Sequence, residues 1–172
     1  MNRLTAIPIE TRAAAPSQAP ASIAIVTDAW HPQTNGVVRT LNTTCEVLRG
    51  WGHQVTVISP EGYPSIPAPT YPEIRLALTA PGAVGRQLAA VAPDAVHIAT
   101  EGPLGLAARR YCLRRKVPFT TAYHTQFPDY VAARTGIDPE WVWRYVSWFH
   151  RASAAVLAST PTIVRELHRH GV

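Results

Sequence analysis

The segment covering residues 23–39 constrains the fold of this chain most, because an apolar run passes through a polar turn into a helical pattern. Residues 23–26 are apolar and mostly β-branched, which is typical of a strand buried on both faces of a parallel sheet. Pro32, Asn35 and Gly36 then favour a turn. Beyond Gly36, a helix that packs back onto the sheet is predicted by apolar residues at three- and four-residue spacing: Val38, Leu41, Cys45 and Leu48.

This pattern places Gly36 at the N-terminus of the first helix. The first backbone N–H groups of a helix lack intrahelical partners, and the helix dipole favours an anion there. Glycine also lets a phosphate approach the backbone without meeting a Cβ atom. The pattern therefore favours a phosphate site, although Asn35 and Gly36 also fit a turn with a helix cap and no ligand.

Strand and helix patterns alternate along the rest of the chain. A proline-rich loop is expected over residues 61–72. The further strands are predicted at residues 54–59, 73–78, 95–100, 117–123 and 155–158, and the further helices at 85–91, 103–115, 141–152 and 161–170. Alternation of this kind predicts an α/β fold, a single Rossmann-like domain with a mostly parallel sheet and helices on both faces. We expect a disordered tail over residues 1–21 and the domain over residues 22–172.

Three polar clusters follow predicted strands, at residues 28–36, 100–102 and 123–125. The carboxyl ends of parallel strands share one edge of the sheet, where such folds bind ligands, so the clusters predict a site there. Within the second cluster we interpret Glu101 as a carboxylate beside a helix N-terminus rather than a catalytic group.

Composition excludes several classes of protein. No apolar stretch approaches the ~20 residues of a membrane span, and residues 1–22 lack the apolar segment of a secretory signal. Cys45 and Cys112 are expected to be buried thiols in a reducing compartment, which indicates a cytoplasmic location. No His, Cys, Asp or Glu cluster has the spacing of metal ligands, and no nucleic-acid-binding motif is present.

The net charge of +5 includes one basic cluster: Arg109, Arg110, Arg114, Arg115 and Lys116. An aromatic helix follows, with Trp141, Tyr145, Trp148 and Ala152 expected on one face. Basic side chains and exposed tryptophans can bind an anionic membrane surface, at the inner face of the plasma membrane. Alternatively, the aromatic residues belong to the core and the arginines form a solvated helix face.

Four sequence elements resemble those of a known family. They are Thr27-Asp28-x-x-x-Pro32-x-x-Asn35-Gly36-Val37, Gly52-His53-x-Val55-x-Val57-Ile58-Ser59-Pro60, Pro93-Asp94-x-Val96-His97-Ile98 and Tyr123-His124-Thr125. In this order, over residues 22–172, they resemble the N-terminal Rossmann-like domain of retaining GT-B glycosyltransferases of family 4. The resemblance is strongest to enzymes that transfer mannose or related sugars to lipid or glycolipid acceptors.

The resemblance implies roles for five residues. Gly36 would meet the diphosphate of a GDP- or UDP-sugar donor, and His124 would lie at the reacting sugar. Asp28, His31 and Asn35 would help to form the acceptor side, for a lipid or glycan acceptor. No cofactor is implied, since GT-B enzymes usually work without a metal. From the residues alone, His124 could instead only fix a strand end.

Members of this family also carry a second, donor-binding domain, which the given sequence does not reach. The expectation is therefore an acceptor-side half of a glycosyltransferase, either truncated or completed by a separate donor-domain polypeptide. The alternatives are a non-catalytic phosphate- or nucleotide-binding module and an inactive fragment.

Overall fold

The structure, a computed structural model, describes residues 19–68, 71–124, 131 and 135–172. The predicted tail therefore lies almost entirely outside the described residues. The strands are β1 (Ser22–Val26), β2 (Gln54–Ile58), β3 (Ser65–Ala68), β4 (Tyr71–Ala77), β5 (Ala95–Ile98), β6 (Phe119–Tyr123) and β7 (Ala155–Ala158). The helices are α1 (Gly36–Gly50), α2 (Ala83–Val91), α3 (Pro103–Arg115), α4 (Pro139–His150) and α5 (Pro161–Arg169). A short 3-10 turn covers Pro60–Gly62.

A parallel sheet of order β2-β1-β5-β6-β7 forms the centre of the domain. In β1, Ile25 pairs with Val57 of β2 on one side and His97 of β5 on the other. Because every pairing in this sheet is parallel, the carboxyl ends of the strands lie at one edge. The predicted α/β fold with a mostly parallel sheet is confirmed.

Helices cover both faces of the sheet. Ala24 and Val26 pack against α2 and α3 in one core cluster, whereas Ile25 packs against α1 in another. This alternation follows from the period of two in a strand. A third cluster joins Tyr123 of β6 to α4 and α5. Cys45 and Cys112 are buried and free, as predicted.

The segment between the 3-10 turn and α2 differs from the prediction. Residues 61–72 were expected to be loop throughout, but Ser65–Ala68 forms β3. The strand expected at residues 73–78 is present as β4, but it pairs antiparallel with β3 and lies outside the parallel sheet. Pro67 lies in an edge strand beside a register shift, which are the positions in sheets where proline is tolerated, because it has no N–H for the ladder.

The aromatic residues of α4 are divided between the surface and the core. Trp141 and Trp148 are 62% and 51% exposed. The buried residues of this helix are Val142, Trp143, Val146, Ser147, Phe149 and His150, a set that follows the 3.6-residue period. The alternative in which the aromatic residues belong to the core therefore holds for Trp143 and Phe149 but not for Trp141 and Trp148. Several boundaries move by two residues: β4 begins at Tyr71, α2 begins at Ala83, β5 ends at Ile98, β6 begins at Phe119 and α4 covers Pro139–His150.

Candidate functional site

His124 directly follows β6 at the carboxyl edge of the sheet. Its Nε2 atom is buried and, among the described residues, has no hydrogen-bond partner. Burial lowers the pKa of His124, and the negative charge of Glu101 opposes this only in part. The ring is therefore neutral near pH 7. A buried imidazole nitrogen without a partner costs free energy, and a ligand hydroxyl or phosphate could satisfy it.

The loop between β1 and α1 is held by a series of side-chain amides. Gln33 Nε2 donates to the Asp28 carbonyl oxygen at 3.4 Å, and Asn35 Nδ2 donates to Gln33 Oε1 at 3.1 Å. Asn35 Oδ1 accepts from Val38 N at 3.0 Å and so forms the N-cap of α1. The first turn of α1, which begins at Gly36, therefore lies at the same sheet edge as His124.

Gly36 lies in open space. A Cβ atom added there would meet no atom within 4 Å. The predicted helix start is confirmed, and the room beside Gly36 is compatible with a bound phosphate. That the glycine contacts a donor diphosphate stays a prediction.

Asp28 is 5% exposed, and both of its carboxylate oxygens are engaged. Oδ1 accepts from Leu104 N at 2.9 Å, while Oδ2 accepts from Thr100 Oγ1 at 2.9 Å and Gly105 N at 3.3 Å. Asp28 therefore binds the N-terminus of α3 from the end of β1. Burial raises the pKa of this carboxyl group, against the opposing effect of these hydrogen bonds. The contacts assign it a structural task, and its predicted contact with an acceptor stays untested.

Close approach of the β1 and β5 ends to α3 depends on two glycines, Gly102 and Gly105, for which the sequence predicted no role. A Cβ atom at Gly102 would lie 2.5 Å from Asp28 Cγ, and one at Gly105 would lie 1.9 Å from the Thr100 carbonyl oxygen. The signal was present in the spacing Gly102-x-x-Gly105 at a predicted helix start. Glycines at such a start often mark close backbone contact.

Glu101 has a partner that the sequence did not reveal. Its Oε1 atom lies 3.0 Å from Nε2 of His150, which is 1% exposed. Nδ1 of His150 lies 2.8 Å from Thr121 Oγ1 in β6, and Tyr145 donates its hydroxyl to the Glu101 carbonyl oxygen. Glu101 is thus fixed by α4 and β6 beside His124, which is more than the helix-end carboxylate that we expected.

A second histidine lies near His124. His97 in β5 is 2.9 Å from Thr120 Oγ1 through Nδ1. Burial, with a smaller effect of His124, lowers the pKa of His97 to about 4. The sheet edge therefore carries neutral imidazoles together with the carboxylates of Asp28 and Glu101. Among the described residues, no group of three or more His, Cys, Asp and Glu side chains is arranged to hold a metal ion.

The sequence model of Glycosyltransferase Family 4 matches residues 34–172. The chain belongs to glycosyltransferase family 4. Its parallel sheet, with helices on both faces and a polar carboxyl edge, agrees with the Rossmann-like domain that the resemblance implied.

Curated members of the family are similar at low identity. A GDP-mannose-dependent alpha-mannosyltransferase of Mycobacterium tuberculosis is 28% identical over 169 residues, which cover 87% of this chain and 44% of that protein. The protein of the same name from Mycolicibacterium smegmatis is 24% identical, with 87% and 45% covered. A sulfoquinovosyl transferase of Arabidopsis thaliana is 26% identical over 136 residues, with 70% and 26% covered. The chain thus spans less than half the length of these relatives.

Two other residues of the family resemblance lie away from the carboxyl edge, whereas His31 lies in the loop between β1 and α1 at this edge. His53 Nδ1 accepts from Ala21 N at 3.1 Å, and Asp94 Oδ2 accepts from Ser22 N at 2.8 Å, so both fix the start of β1. His31 is exposed and accepts from Asn42 Nδ2 of α1 at 3.1 Å. Thr125 lies outside the described residues. Of the predicted site residues, the structure therefore brings five to one edge of the domain, namely Asp28, His31, Asn35, Gly36 and His124.

The basic cluster is not uniform. Arg109 is 8% exposed, and its guanidinium donates to the carbonyl oxygens of Phe149 at 3.0 Å and Trp148 at 2.8 Å. The guanidinium carbon also lies 3.9 Å from the centre of the Trp148 ring. Arg109 therefore joins α3 to the end of α4. The prediction that this residue faces a membrane is wrong. The rest of the cluster, from Arg110 onward, is exposed. No helix among the described residues has the length and apolarity needed to cross a bilayer.

Proposed function

We propose that this family 4 domain forms the acceptor side of a glycosyltransferase that moves a mannose-like sugar, with retention, from a GDP- or UDP-sugar to a lipid or glycan acceptor. The observation that carries the proposal is the buried Nε2 of His124, which has no hydrogen-bond partner among the described residues and lies at the same sheet edge as the open first turn of α1. The names of the mycobacterial relatives support GDP-mannose as the donor to test first.

The chemistry of the edge suits this reaction. As the bond between the anomeric carbon and the diphosphate oxygen breaks, negative charge grows on the diphosphate and positive charge on the sugar. The N–H groups at Gly36 would stabilise the diphosphate, because a helix N-terminus favours anions. His124 is neutral near pH 7 and would hydrogen-bond a sugar hydroxyl, while the Glu101 carboxylate would favour the developing positive charge.

A separate donor-side domain would complete the enzyme, because the relatives are more than twice as long as the region they share with this chain. The first test is therefore a chimaera, in which the second half of the Mycobacterium tuberculosis relative follows residue 172. GDP release from GDP-mannose and transfer of labelled mannose to a lipid extract are measured. We expect both activities in the chimaera and neither in this chain alone.

The decisive variant is His124→Ala in the same chimaera. Loss of a hydrogen-bonding group at the reaction centre should lower kcat by about 100-fold. The matched control is His168→Ala, which removes an exposed histidine of α5. Binding of GDP-mannose by this chain alone, together with a folded chimaera that releases no GDP, would indicate a nucleotide-binding module instead. If His124→Ala lowers the melting temperature and the activity in proportion, the histidine only fixes the strand end.

A further inference from the structure

A groove of about 670 Å³ lies between α2 and α3. Its walls carry Arg86 from α2 and Arg110, Arg114 and Arg115 from α3, and the turn before α2 closes one side. None of the candidate site residues lines it. A ligand bound in the groove would therefore be separate from the sugar-transfer site.

The arginines around this groove lack acidic partners. No Asp or Glu lines the groove, and in the part of the chain that the structure describes none of the four guanidinium groups has a carboxylate within 4.0 Å. Arg110 and Arg114 are four residues apart on one helix, a spacing at which like charges repel. The dipole at the end of α3 favours Arg114 and Arg115. The dipole does not explain why Arg86 and Arg110 lie at the groove without acidic partners. The arrangement of the four arginines therefore indicates an external anion.

The groove also has shaped walls. A Cβ atom at Gly85 would lie 2.8 Å from Cδ2 of Tyr111, so the glycine lets α2 lie directly against this ring. Gly82 has a φ of +75° and turns the chain into α2. Nη1 of Arg86 donates to the Pro81 carbonyl oxygen at 3.4 Å, which holds its guanidinium beside the turn. These contacts keep one arginine in place opposite those of α3.

We propose that the groove between α2 and α3 binds a phosphate group, carried either by an anionic lipid headgroup or by a soluble phosphate compound. Planar guanidinium groups bind phosphate oxygens in pairs, and several guanidiniums around one groove match the multiple charges of phosphate. The volume is sufficient for a headgroup-sized ligand.

The test uses the whole 172-residue chain and the double variant Arg110→Gln/Arg114→Gln. Both side chains are exposed, so the variant should keep its melting temperature. The control is Arg144→Gln/Arg165→Gln, which removes the same charge from exposed positions outside the groove. Binding is measured by co-sedimentation with phosphatidylglycerol vesicles and with phosphatidylcholine vesicles, and by titration calorimetry with inorganic pyrophosphate.

For a lipid source, the chain sediments with phosphatidylglycerol vesicles only, and the groove variant binds about 25-fold more weakly, since each basic residue near an anionic surface contributes about fivefold. For a soluble source, pyrophosphate binds and the groove variant alone loses this binding. Added salt should weaken either interaction. Equal losses in the groove variant and the control would overturn the proposal, as would absence of binding to every probe.

Discussion

Removal of the Asp28 carboxylate should destabilise the domain strongly. In Asp28→Ala, Leu104 N and Gly105 N lose their acceptor inside the protein, as does the Thr100 hydroxyl. An unsatisfied buried donor costs about 1–3 kcal/mol, so the two amides alone predict a loss of about 2–6 kcal/mol in the free energy of unfolding. That is a large part of the ~5–15 kcal/mol that stabilises a typical domain.

Asp138 provides a matched control, because it also caps a helix but at the surface. Its Oδ1 accepts from Glu140 N at 2.9 Å at the start of α4. Loss of an exposed N-cap costs about 1 kcal/mol. Urea denaturation of Asp28→Ala, Asp138→Ala and the wild type, followed by circular dichroism, gives the two differences. Asp28→Asn keeps one acceptor and the shape of the side chain, so its loss should lie between them.

The reasoning would be refuted if Asp28→Ala and Asp138→Ala destabilised the chain equally. If Asp28→Ala is stable but binds the lipid or glycan substrate more weakly, the result would instead favour the substrate-binding role that the family resemblance implied. The two roles therefore separate in one set of variants.

Three further predictions concern acid stability and two glycines. The pKa of His97 falls from 6.5 to about 4 on folding, so the unfolded chain binds more protons between these values and the stability present above pH 6.5 is lost as the pH falls. The loss by pH 4 is on the order of 3 kcal/mol, and urea denaturation at pH 7 and pH 4 should show a smaller loss in His97→Gln. A Cβ atom at Gly36 meets no atom within 4 Å, so Gly36→Val should keep the melting temperature of the chimaera but bind GDP-mannose more weakly by calorimetry. Gly105→Ala, by contrast, places a Cβ atom 1.9 Å from a backbone oxygen and should unfold in markedly less urea. Unchanged donor affinity in Gly36→Val would remove the phosphate contact.

The parts of the fold that depend on neighbouring residues could be predicted from the sequence. The start of α1 at Gly36 follows from the Asn35 cap, the turn and the apolar spacing, which all lie within a few residues. The meeting of the polar clusters was also predictable, because parallel strands end at one edge. Asp28 and Thr100, the first residues of two clusters, are in contact.

The features that the sequence did not reveal depend on distant partners. Pro67 indicated a loop, since its hairpin partner could not be read from the residues around it. Arg109 was grouped with its basic neighbours, although the spacing Gly105, Arg109, Cys112 already placed it on the buried face of α3. Its acceptors, the carbonyl oxygens at the end of α4, are 39 and 40 residues away. Likewise, only the structure shows that His150 lies on the buried face of α4.

The contact between Glu101 and His150 also has a consequence for the newly made chain. Its two residues are 49 positions apart. A ribosome that adds about 5–20 residues per second therefore produces the glutamate roughly 2–10 s before its histidine. During that interval the Glu101 carboxylate must stay in water. In addition, β5 remains an unpaired lateral strand of the sheet until β6 and α4 have been synthesised. The carboxyl edge of the sheet is thus assembled late, from both halves of the chain.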